Sequence, residues 1–249
     1  MKKRKFYDLF VSADCITDGV LDCLKGLGFS GVGAVVSIGR LMSSPGHSME
    51  LIESLRRRGL ELDMDIASRL TIDKPFDEDL IKKILRKYRK KFEIISIQPL
   101  RRGITAFACR DTRIDILTLS LGTKIFRGDI DYIRMYDKRV EITLRLLQQA
   151  DIHGKAKVLA YYQDILRKLC RKKMSTILLF SSGAQDRREL RDPRMMASIL
   201  HTLGLSYDEA LNIISTYPAR LVNENRDKLR GLVPARGVKI LEDENITKY

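Results

Sequence analysis

Cationic side chains recur in the segments that follow the apolar runs of this sequence, where loops are expected. The guanidinium group of arginine binds phosphate through two parallel hydrogen bonds and tolerates partial loss of hydration better than an ammonium group. The candidate phosphate-binding residues are Arg40, Arg101, Arg102, Arg110, Arg113, Lys124, Arg127, Arg187, Arg188, Arg191 and Arg194. Some of them, Arg191 above all, are instead candidates for internal ion pairs with acids such as Asp14 or Asp65.

Residues suited to hydrolytic chemistry are sparse. The histidines His47, His153 and His201 form neither an HxH nor an HExxH pair, whereas an enzyme's divalent metal needs three or four convergent ligands. The GxSxG motif of a serine nucleophile is absent, and Gly31-Val32-Gly33 is only a fragment of a dinucleotide motif. We therefore assign no catalytic residue and no metal ligand.

One acidic segment leaves two hypotheses open. Leu60–Ile66 alternates apolar and acidic residues, which places Glu61, Asp63 and Asp65 on one face of a predicted strand. Carboxylate oxygens suit Mg²⁺, so these residues are a candidate magnesium site. The interpretation that we favour is that they pair with the many arginine and lysine side chains of the chain.

Two denser basic runs lie in segments with helical periodicity. Ile84, Leu85 and Tyr88 supply the buried stripe of the first run, so its cations cover an outer helix face. The first run contains Lys82, Lys83, Arg86, Lys87, Arg89, Lys90 and Lys91, and the second contains Arg167, Lys168, Arg171, Lys172 and Lys173. Each is either a polyanion-binding face or a solvated one, and the second also suits the negative end of a helix dipole.

The bulk charge favours a polyanionic partner. The formal net charge is +14 and the isoelectric point about 9.7, which indicates nucleic acid or an anionic membrane surface. Folded RNA is recognised mainly through shape, phosphates and 2′-hydroxyl groups, so a positive loop surface suits it. The chain has no tryptophan and no aromatic-rich RNA-binding motif, so stacking of single-stranded bases is not the expected mode.

Composition also predicts the compartment. Charged residues make up 31 % of the chain, and no apolar run approaches the roughly 20 residues of a membrane span. Cys15, Cys23, Cys109 and Cys170 are scattered without a CxxC pair, as is typical of buried thiols in a reducing compartment. We predict a cytoplasmic protein that does not bind membranes.

Short apolar runs alternate with amphipathic stretches, which predicts a mainly parallel sheet covered by helices. Helices are predicted around Leu80–Tyr88 and Val158–Leu169, and others open at Asp192, at Ser206 and at Tyr217 with its following proline. The predicted strands are Phe6–Val11, Gly33–Ile38, Leu60–Ile66, Phe92–Gln98, Asp115–Leu121, Val140–Leu144 and Thr176–Ser181.

Repeated strand–helix units close most simply into a barrel. We predict one α/β domain over residues 1–249, a distorted TIM-barrel-like fold with about seven strands and extra helices. Residues 1–5 are predicted to be a basic tail and 242–249 a flexible one, and Gly237–Leu241 is a candidate eighth strand. The alternative is an open doubly wound sheet, which normally carries a glycine-rich loop where Ser12-Ala13-Asp14 stands here.

Several motifs in a fixed order resemble those of one family. The pieces are Phe6-Tyr7-Asp8-Leu9, Ser181-Ser182-Gly183-Ala184, Glu189-Leu190-Arg191-Asp192-Pro193-Arg194, Leu203-Gly204-Leu205, Glu209-Ala210-Leu211 and Pro218-Ala219-Arg220-Leu221, followed by Asn223 to Asn225. Across roughly residues 6 to 241 the chain resembles the RNase P protein component 3 family, the archaeal and eukaryotic protein-30 subunit.

The resemblance implies a ribonucleoprotein that removes 5′ leaders from precursor tRNA, with catalysis by the RNA subunit and Mg²⁺. The implied partners are RNase P RNA, precursor tRNA indirectly, a Pop5-type subunit and other RNase P proteins, in a hetero-oligomer. We expect this chain to bind RNA, to hold no cofactor and to be inactive alone. The alternatives are a metal-dependent phosphoesterase or hydrolase on a related barrel, and a protein-interaction scaffold whose charge serves solubility.

Overall fold

Seven parallel strands in sequential order form the wall of a distorted barrel. The structure is a computed structural model that describes residues 4–101, 103–170, 174–233, 238 and 240. Parallel neighbours need a crossover between them, and helices supply it. The strands are β1 (Phe6–Ser12), β2 (Phe29–Ser37), β3 (Asp65–Ile72), β4 (Ile94–Ile97), β5 (Ile116–Thr118), β6 (Arg139–Thr143) and β7 (Leu178–Ser181).

The helices cover the outside of this wall. Helix α4 is typical, because Ile81, Ile84, Leu85 and Tyr88 are its buried residues and Asp77 caps its first turn by accepting from the Leu80 amide at 2.8 Å. The helices are α1 (Asp18–Gly26), α2 (Ile38–Ser43), α3 (Pro45–Glu61), α4 (Glu78–Tyr88), α5 (Ile104–Arg110), α6 (Arg127–Met135), α7 (Arg145–Gln149), α8 (Ile152–Cys170), α9 (Pro193–Thr202), α10 (Tyr207–Ile213) and α11 (Thr216–Leu229).

The barrel closes through the segment that follows β7. The Ser12 amide donates to the Ala184 carbonyl at 2.8 Å, and the Ala184 amide donates to the Phe10 carbonyl at 3.1 Å. Val11 and Ala184 form a parallel bridge outside the regular ladder. The open-sheet alternative is therefore wrong, and the predicted distorted barrel is confirmed.

Helix α11 fills the other side of the gap between the first and last strands. The Tyr7 amide donates to the Ile214 carbonyl at 3.0 Å, just before this helix. Leu221 and Val222 of α11 belong to a small buried cluster with residues of five strands. The strand members of that cluster are Tyr7, Leu9, Ala67, Ile94, Ile116 and Leu179. One end of the barrel interior is thus packed with apolar side chains.

The predicted third strand, Leu60–Ile66, is wrong. Helix α3 continues to Glu61, and the Met64 amide then donates to the Gly59 carbonyl at 2.8 Å in a turn that holds Asp63 at φ 50°. A Cβ at Gly59 would lie 2.6 Å from the Met64 carbonyl oxygen, so the turn requires glycine there. Helix α3 continues past its buried Leu55 to Glu61, and the turn then occupies the residues up to Met64. Strand β3 therefore starts only at Asp65.

The other predicted elements are found with shifted ends. The structure starts β2 four residues before the predicted Gly33, and it extends α11 beyond the predicted end near Asn225 to Leu229. Ser206 accepts from the Glu209 amide at 3.2 Å, as the capping motif predicted. The candidate eighth strand, Gly237–Leu241, falls largely outside the described residues, as do 1–3 and 242–249 of the predicted tails.

Candidate nucleic-acid interface

A buried ion pair occupies the centre of the barrel. Arg69 of β3 and Glu141 of β6 are both 0 % exposed. Arg69 donates through Nη2 to Glu141 Oε2 at 2.5 Å and through Nη1 to Oε1 at 2.8 Å. Two parallel bonds of this kind fix both side chains in one geometry.

The remaining donors of Arg69 are also satisfied. Its Nε donates to Ser96 Oγ at 2.9 Å, Nη1 donates to the Leu9 carbonyl at 2.9 Å, and Nη2 donates to Thr118 Oγ1 at 2.8 Å. Glu141 accepts further from Thr118 Oγ1 and Ser181 Oγ, each at 2.7 Å. The polar groups around Arg69 and Glu141 therefore satisfy one another, whereas catalytic barrels direct reactive groups toward a substrate.

Asp8 is the buried acid beside the closing bridge. Its Oδ1 accepts from the amides of Phe10 and Ser182, each at 3.1 Å, whereas its Oδ2 has no partner among the described residues. Burial raises the pKa of Asp8 to about 6, against the opposing effect of the hydrogen bonds from Ser182 and Phe10, and the charge of Glu141 raises it further. The carboxyl group therefore titrates well above its ordinary range.

The predicted acidic strand face does not form, because only Asp65 lies on a strand. Asp65 pairs with Arg226 of α11 at 2.7 Å, and Arg226 also pairs with Glu93 at 2.5 Å. Burial opposes ionisation of Glu93, but hydrogen bonds from Arg226 and the Ser68 amide hold its pKa below the ordinary value. The interpretation of Asp65 as an ion-pair partner is confirmed, and it joins α11 to the barrel wall.

Within the described ranges, no group of three or more histidine, cysteine, aspartate or glutamate residues could hold a metal ion. The shared strand face on which the magnesium hypothesis for Glu61, Asp63 and Asp65 depended is therefore not present. Glu61 ends a helix and Asp63 lies in a turn, so the three carboxylates do not share a face.

Five of the predicted cations lie exposed beyond the carboxyl ends of the strands. We define the mouth cations as the exposed residues Arg101 after β4, Lys124 and Arg127 after β5, and Arg187 and Arg188 after β7. Arg101 donates to the Pro75 carbonyl at 3.3 Å. No carboxylate among the described residues pairs with any of the five, so their charge faces solvent.

Two other arginines at this end are partly neutralised. Arg40 pairs with Asp14, and Arg145, which follows β6, pairs with Glu189. The predicted Arg191 partners, Asp14 and Asp65, are thus taken by Arg40 and Arg226. Arg191 instead donates to the carbonyls of Arg188 and Leu190, at 2.5 and 2.7 Å, so its predicted ion pair is wrong.

Three predicted cations lie elsewhere. Arg110 ends α5 and Arg113 precedes β5, so both belong to the amino-terminal end of the barrel. Arg113 forms two hydrogen bonds with Asp111, at 2.5 and 2.9 Å, which raise its pKa. Arg194 lines a cavity of about 440 Å³ beside Phe6, again at the start of a strand. Arg110, Arg113 and Arg194 therefore lie at the other end of the barrel from the mouth cations, and Arg102 lies outside the described residues.

Lys74 was not among the predicted cations at this end of the barrel. Lys74 is exposed just after β3. Its position follows from the true end of β3 at Ile72, whereas the predicted strand ended at Ile66. Counting the strand from Asp65 would have placed Lys74 correctly.

Helix α4 carries an exposed basic face, as its sequence predicted. Lys82 pairs with Glu78 at 2.6 Å and Arg89 pairs with Asp115 at 3.0 Å, so the charges of these two residues are neutralised within the chain. The exposed members are Lys83, Arg86, Lys87, Lys90 and Lys91. In the second run, Lys168 pairs with Asp164, Arg167 is exposed, and residues 171–173 are outside the described part of the chain.

The chain resembles known proteins over most of its length. The family described as RNase P subunit p30 matches residues 5–230. Ribonuclease P protein component 3 of Methanothermobacter thermautotrophicus is 25 % identical over 197 residues, which cover 77 % of this chain and 78 % of the relative.

Solved structures share the fold. A chain in the cryo-EM structure of archaeal ribonuclease P with mature tRNA matches with a TM-score of 0.79 and 20 % identity, covering 96 % of this chain and 99 % of that one. An enamidase of the amidohydrolase superfamily matches with a TM-score of 0.54 and 15 % identity, covering 95 % of this chain and 70 % of that one.

None of the helices in the described ranges is long and apolar enough to cross a bilayer. The fold match to archaeal ribonuclease P and the resemblance in motif order agree with the match of the family across residues 5–230. The chain belongs to the RNase P subunit p30 family.

Proposed function

We propose that this chain is a protein subunit of an archaeal-type ribonuclease P, where it binds and stabilises the catalytic RNA during removal of the 5′ leader from precursor tRNA. The observation that carries the proposal is the contrast between a barrel centre closed by its own ion pair and a mouth with exposed, unpaired cations. Neutralised phosphates release counterions, which gives such a surface its affinity for RNA.

The partners follow from the same proposal. The relative's name, component 3 of ribonuclease P, and the assembly with mature tRNA that contains the similar chain support a place in a multi-subunit ribonucleoprotein. RNase P RNA is the direct nucleic-acid partner, precursor tRNA an indirect one, and a Pop5-type subunit and other RNase P proteins complete a hetero-oligomer in the cytoplasm. Mg²⁺ acts with the RNA, and this chain contributes cations that reduce phosphate repulsion.

Reconstitution at limiting Mg²⁺ tests the proposal. RNase P RNA is assembled with the other protein subunits, with and without this chain, and 5′-leader removal is measured against Mg²⁺ concentration. We expect the chain to lower the Mg²⁺ concentration needed for half-maximal activity, because it replaces part of the counterion atmosphere. An unchanged Mg²⁺ requirement would contradict the proposed role.

Two further readouts separate the other functions. Phosphodiester cleavage by the purified chain alone, together with stoichiometric bound metal, would support the metal-dependent hydrolase instead. Co-purification of protein partners without RNA would support a scaffold. Salt-dependent binding to RNase P RNA by the chain, with no cleavage of its own, is the result that our proposal predicts.

A further inference from the structure

Phe126 is the most exposed aromatic side chain among the described residues, with 66 % of its surface accessible. It lies at the start of α6, in the connection that follows β5. The apolar neighbours Leu119 and Ile125 in the same connection are buried, at 2 % and 4 %. Leu121 in the same connection is also exposed, at 50 %, so buried and exposed apolar side chains alternate along this segment, and Phe126 is the aromatic one among the exposed.

The backbone on both sides of Phe126 is anchored. Tyr161 of α8 donates its hydroxyl to the Thr123 carbonyl at 2.9 Å. The Phe126 amide donates to Asp129 Oδ2 at 2.9 Å, and the Asp129 side chain is buried in this role. The ring is therefore presented to solvent from a fixed backbone, which lowers the entropy lost when a ligand packs on it.

Two residues that flank the ring in sequence are cationic. Lys124 and Arg127 flank Phe126 in sequence, and both are exposed mouth cations without a carboxylate partner in the described chain. No aspartate or glutamate occurs between Asp115 and Asp129. An exposed aromatic ring between two free cations is the combination that binds an unpaired nucleotide, with the base on the ring and the phosphates on the cations.

We propose that Phe126, with Lys124 and Arg127, is a stacking site for an unpaired RNA base. The inference rests on the proposed function and adds to it, because it assigns a single-stranded element to a surface otherwise suited to phosphate and shape. It also departs from the sequence-based expectation that this chain does not stack bases. A protein partner for the ring is disfavoured by the two unpaired charges beside it, which a protein interface would have to desolvate.

Fluorescence gives a direct test, because the chain contains no tryptophan. Phe126→Trp introduces a single reporter at the site. The variant is titrated at low salt with a 12-nucleotide oligoadenylate and, separately, with an RNA duplex that carries the same number of phosphates. We expect the single strand to quench the tryptophan strongly and the duplex to quench it weakly, since duplex bases are already stacked.

Leu60→Trp is the matched control. Leu60 is 83 % exposed and lies in the last turn of α3, which leads into β3 at the opposite end of the barrel from Phe126. A tryptophan there should respond equally little to both RNAs. Equal quenching at the two positions would overturn the proposal, because it would report general association and not stacking.

Affinity measurements supply the second arm. Phe126→Ala should weaken binding of the oligoadenylate by about 5- to 150-fold, and Phe126→Tyr should retain it, because the lost energy is that of one stacked base. The salt dependence should stay unchanged in Phe126→Ala and become less steep in the double variant Lys124→Ala and Arg127→Ala. Thermal unfolding checks that each variant folds.

The outcomes distinguish this inference from the proposed function. If the wild-type chain shows no salt-dependent binding to RNA at all, the proposed function fails. If RNA binding is intact but Phe126→Ala has wild-type affinity, only the stacking site is overturned. Loss of Pop5-type subunit binding in Phe126→Ala, with RNA affinity retained, would likewise overturn it in favour of a protein contact.

Discussion

Arg69 and the pair Arg187 and Arg188 are the same residue type in two different environments. The fold gives every donor of Arg69 an acceptor and removes the side chain from water. Arg187 and Arg188 are exposed and unpaired with any carboxylate in the described chain. The comparison teaches that a net charge of +14 is not one property, because part of it stabilises the barrel and part is available to a partner. Substitutions at the buried ion pair should leave the exposed arginines unaffected, and substitutions at the exposed arginines should leave the buried pair unaffected.

The largest expected effect follows from Glu141→Gln, which leaves the Arg69 charge buried without its counterion. The free energy of unfolding should fall by about 3–5 kcal/mol, as for other buried pairs that lose one partner. Urea unfolding measures the change, and Arg187→Met is the control because it removes an exposed charge. A loss below about 1 kcal/mol would show that the interior pair does not support the fold.

Asp8→Asn tests the buried environment through the pH dependence of stability, because it removes a buried carboxyl group that has no counterion. The pKa of Asp8 is raised from 3.8 to about 6, so the folded chain keeps a proton that the unfolded chain has lost within that window. Wild-type stability should therefore fall as pH rises from about 4 to 6, by up to about 1.4 kcal/mol per pH unit relative to the variant.

Urea unfolding at a series of pH values gives both curves. The exposed Asp79→Asn provides the control and should follow the wild type. Parallel curves for wild type and Asp8→Asn would mean that Asp8 does not titrate in this window.

Arg226→Met should have a smaller effect, about 2 kcal/mol, because Arg226 and Asp65 are partly exposed and water can replace some of their hydrogen bonds. The loss should appear as faster amide exchange in α11, which Arg226 joins to Asp65 and Glu93. Arg220→Met on the same helix is the control, since its pair with Glu224 is a surface i,i+4 contact worth a few tenths of a kcal/mol. Equal losses of unfolding free energy in the two variants would show that the ion pairs of Arg226 contribute no more than a surface pair.

The double variant Arg187→Ala and Arg188→Ala should have the smallest effect on unfolding, within about 0.5 kcal/mol. Its effect should appear in RNA binding, where the slope of log affinity against log salt falls by about 0.7–0.9 per lost phosphate contact. Arg113→Ala, which removes an arginine already paired with Asp111, should leave that slope unchanged. An unaltered slope in the double variant would show that Arg187 and Arg188 do not contact RNA phosphates.

The sequence predicted most strands and helices because their apolar patterns are regular. It failed at Leu60–Ile66, where an alternating pattern imitates a strand although the preceding helix continues to Glu61. That one error displaced Arg69 from the barrel centre to an imagined loop and hid Lys74. The spacing of apolar residues does not show where a helix stops packing against a sheet. Tertiary contacts therefore determine the boundary between α3 and β3.

The sequence predicted the location of some exposed cations and misplaced others. Exposed cations at the mouth were expected, and Arg101, Lys124, Arg127, Arg187 and Arg188 are exposed there. Arg40, Arg110 and Arg113 were placed with them because sequence alone gives neither the pairing partner nor the end of the barrel that a loop occupies. Phe126 carried no sequence signal, since its exposure depends on the burial of Ile125 and the capping contact of Asp129.

The bridge between Val11 and Ala184 has a consequence for how a ligand affects the fold. Arg187 and Arg188 follow Ala184 by a few residues, so the segment that closes the barrel is continuous with the segment that faces solvent. A ligand that binds the closed form more tightly than the open one stabilises closure, and closure strengthens binding by the same factor. If RNA bound at Arg187 and Arg188 favours the closed barrel, occupancy of these arginines and integrity of the β1–β7 junction are thermodynamically linked.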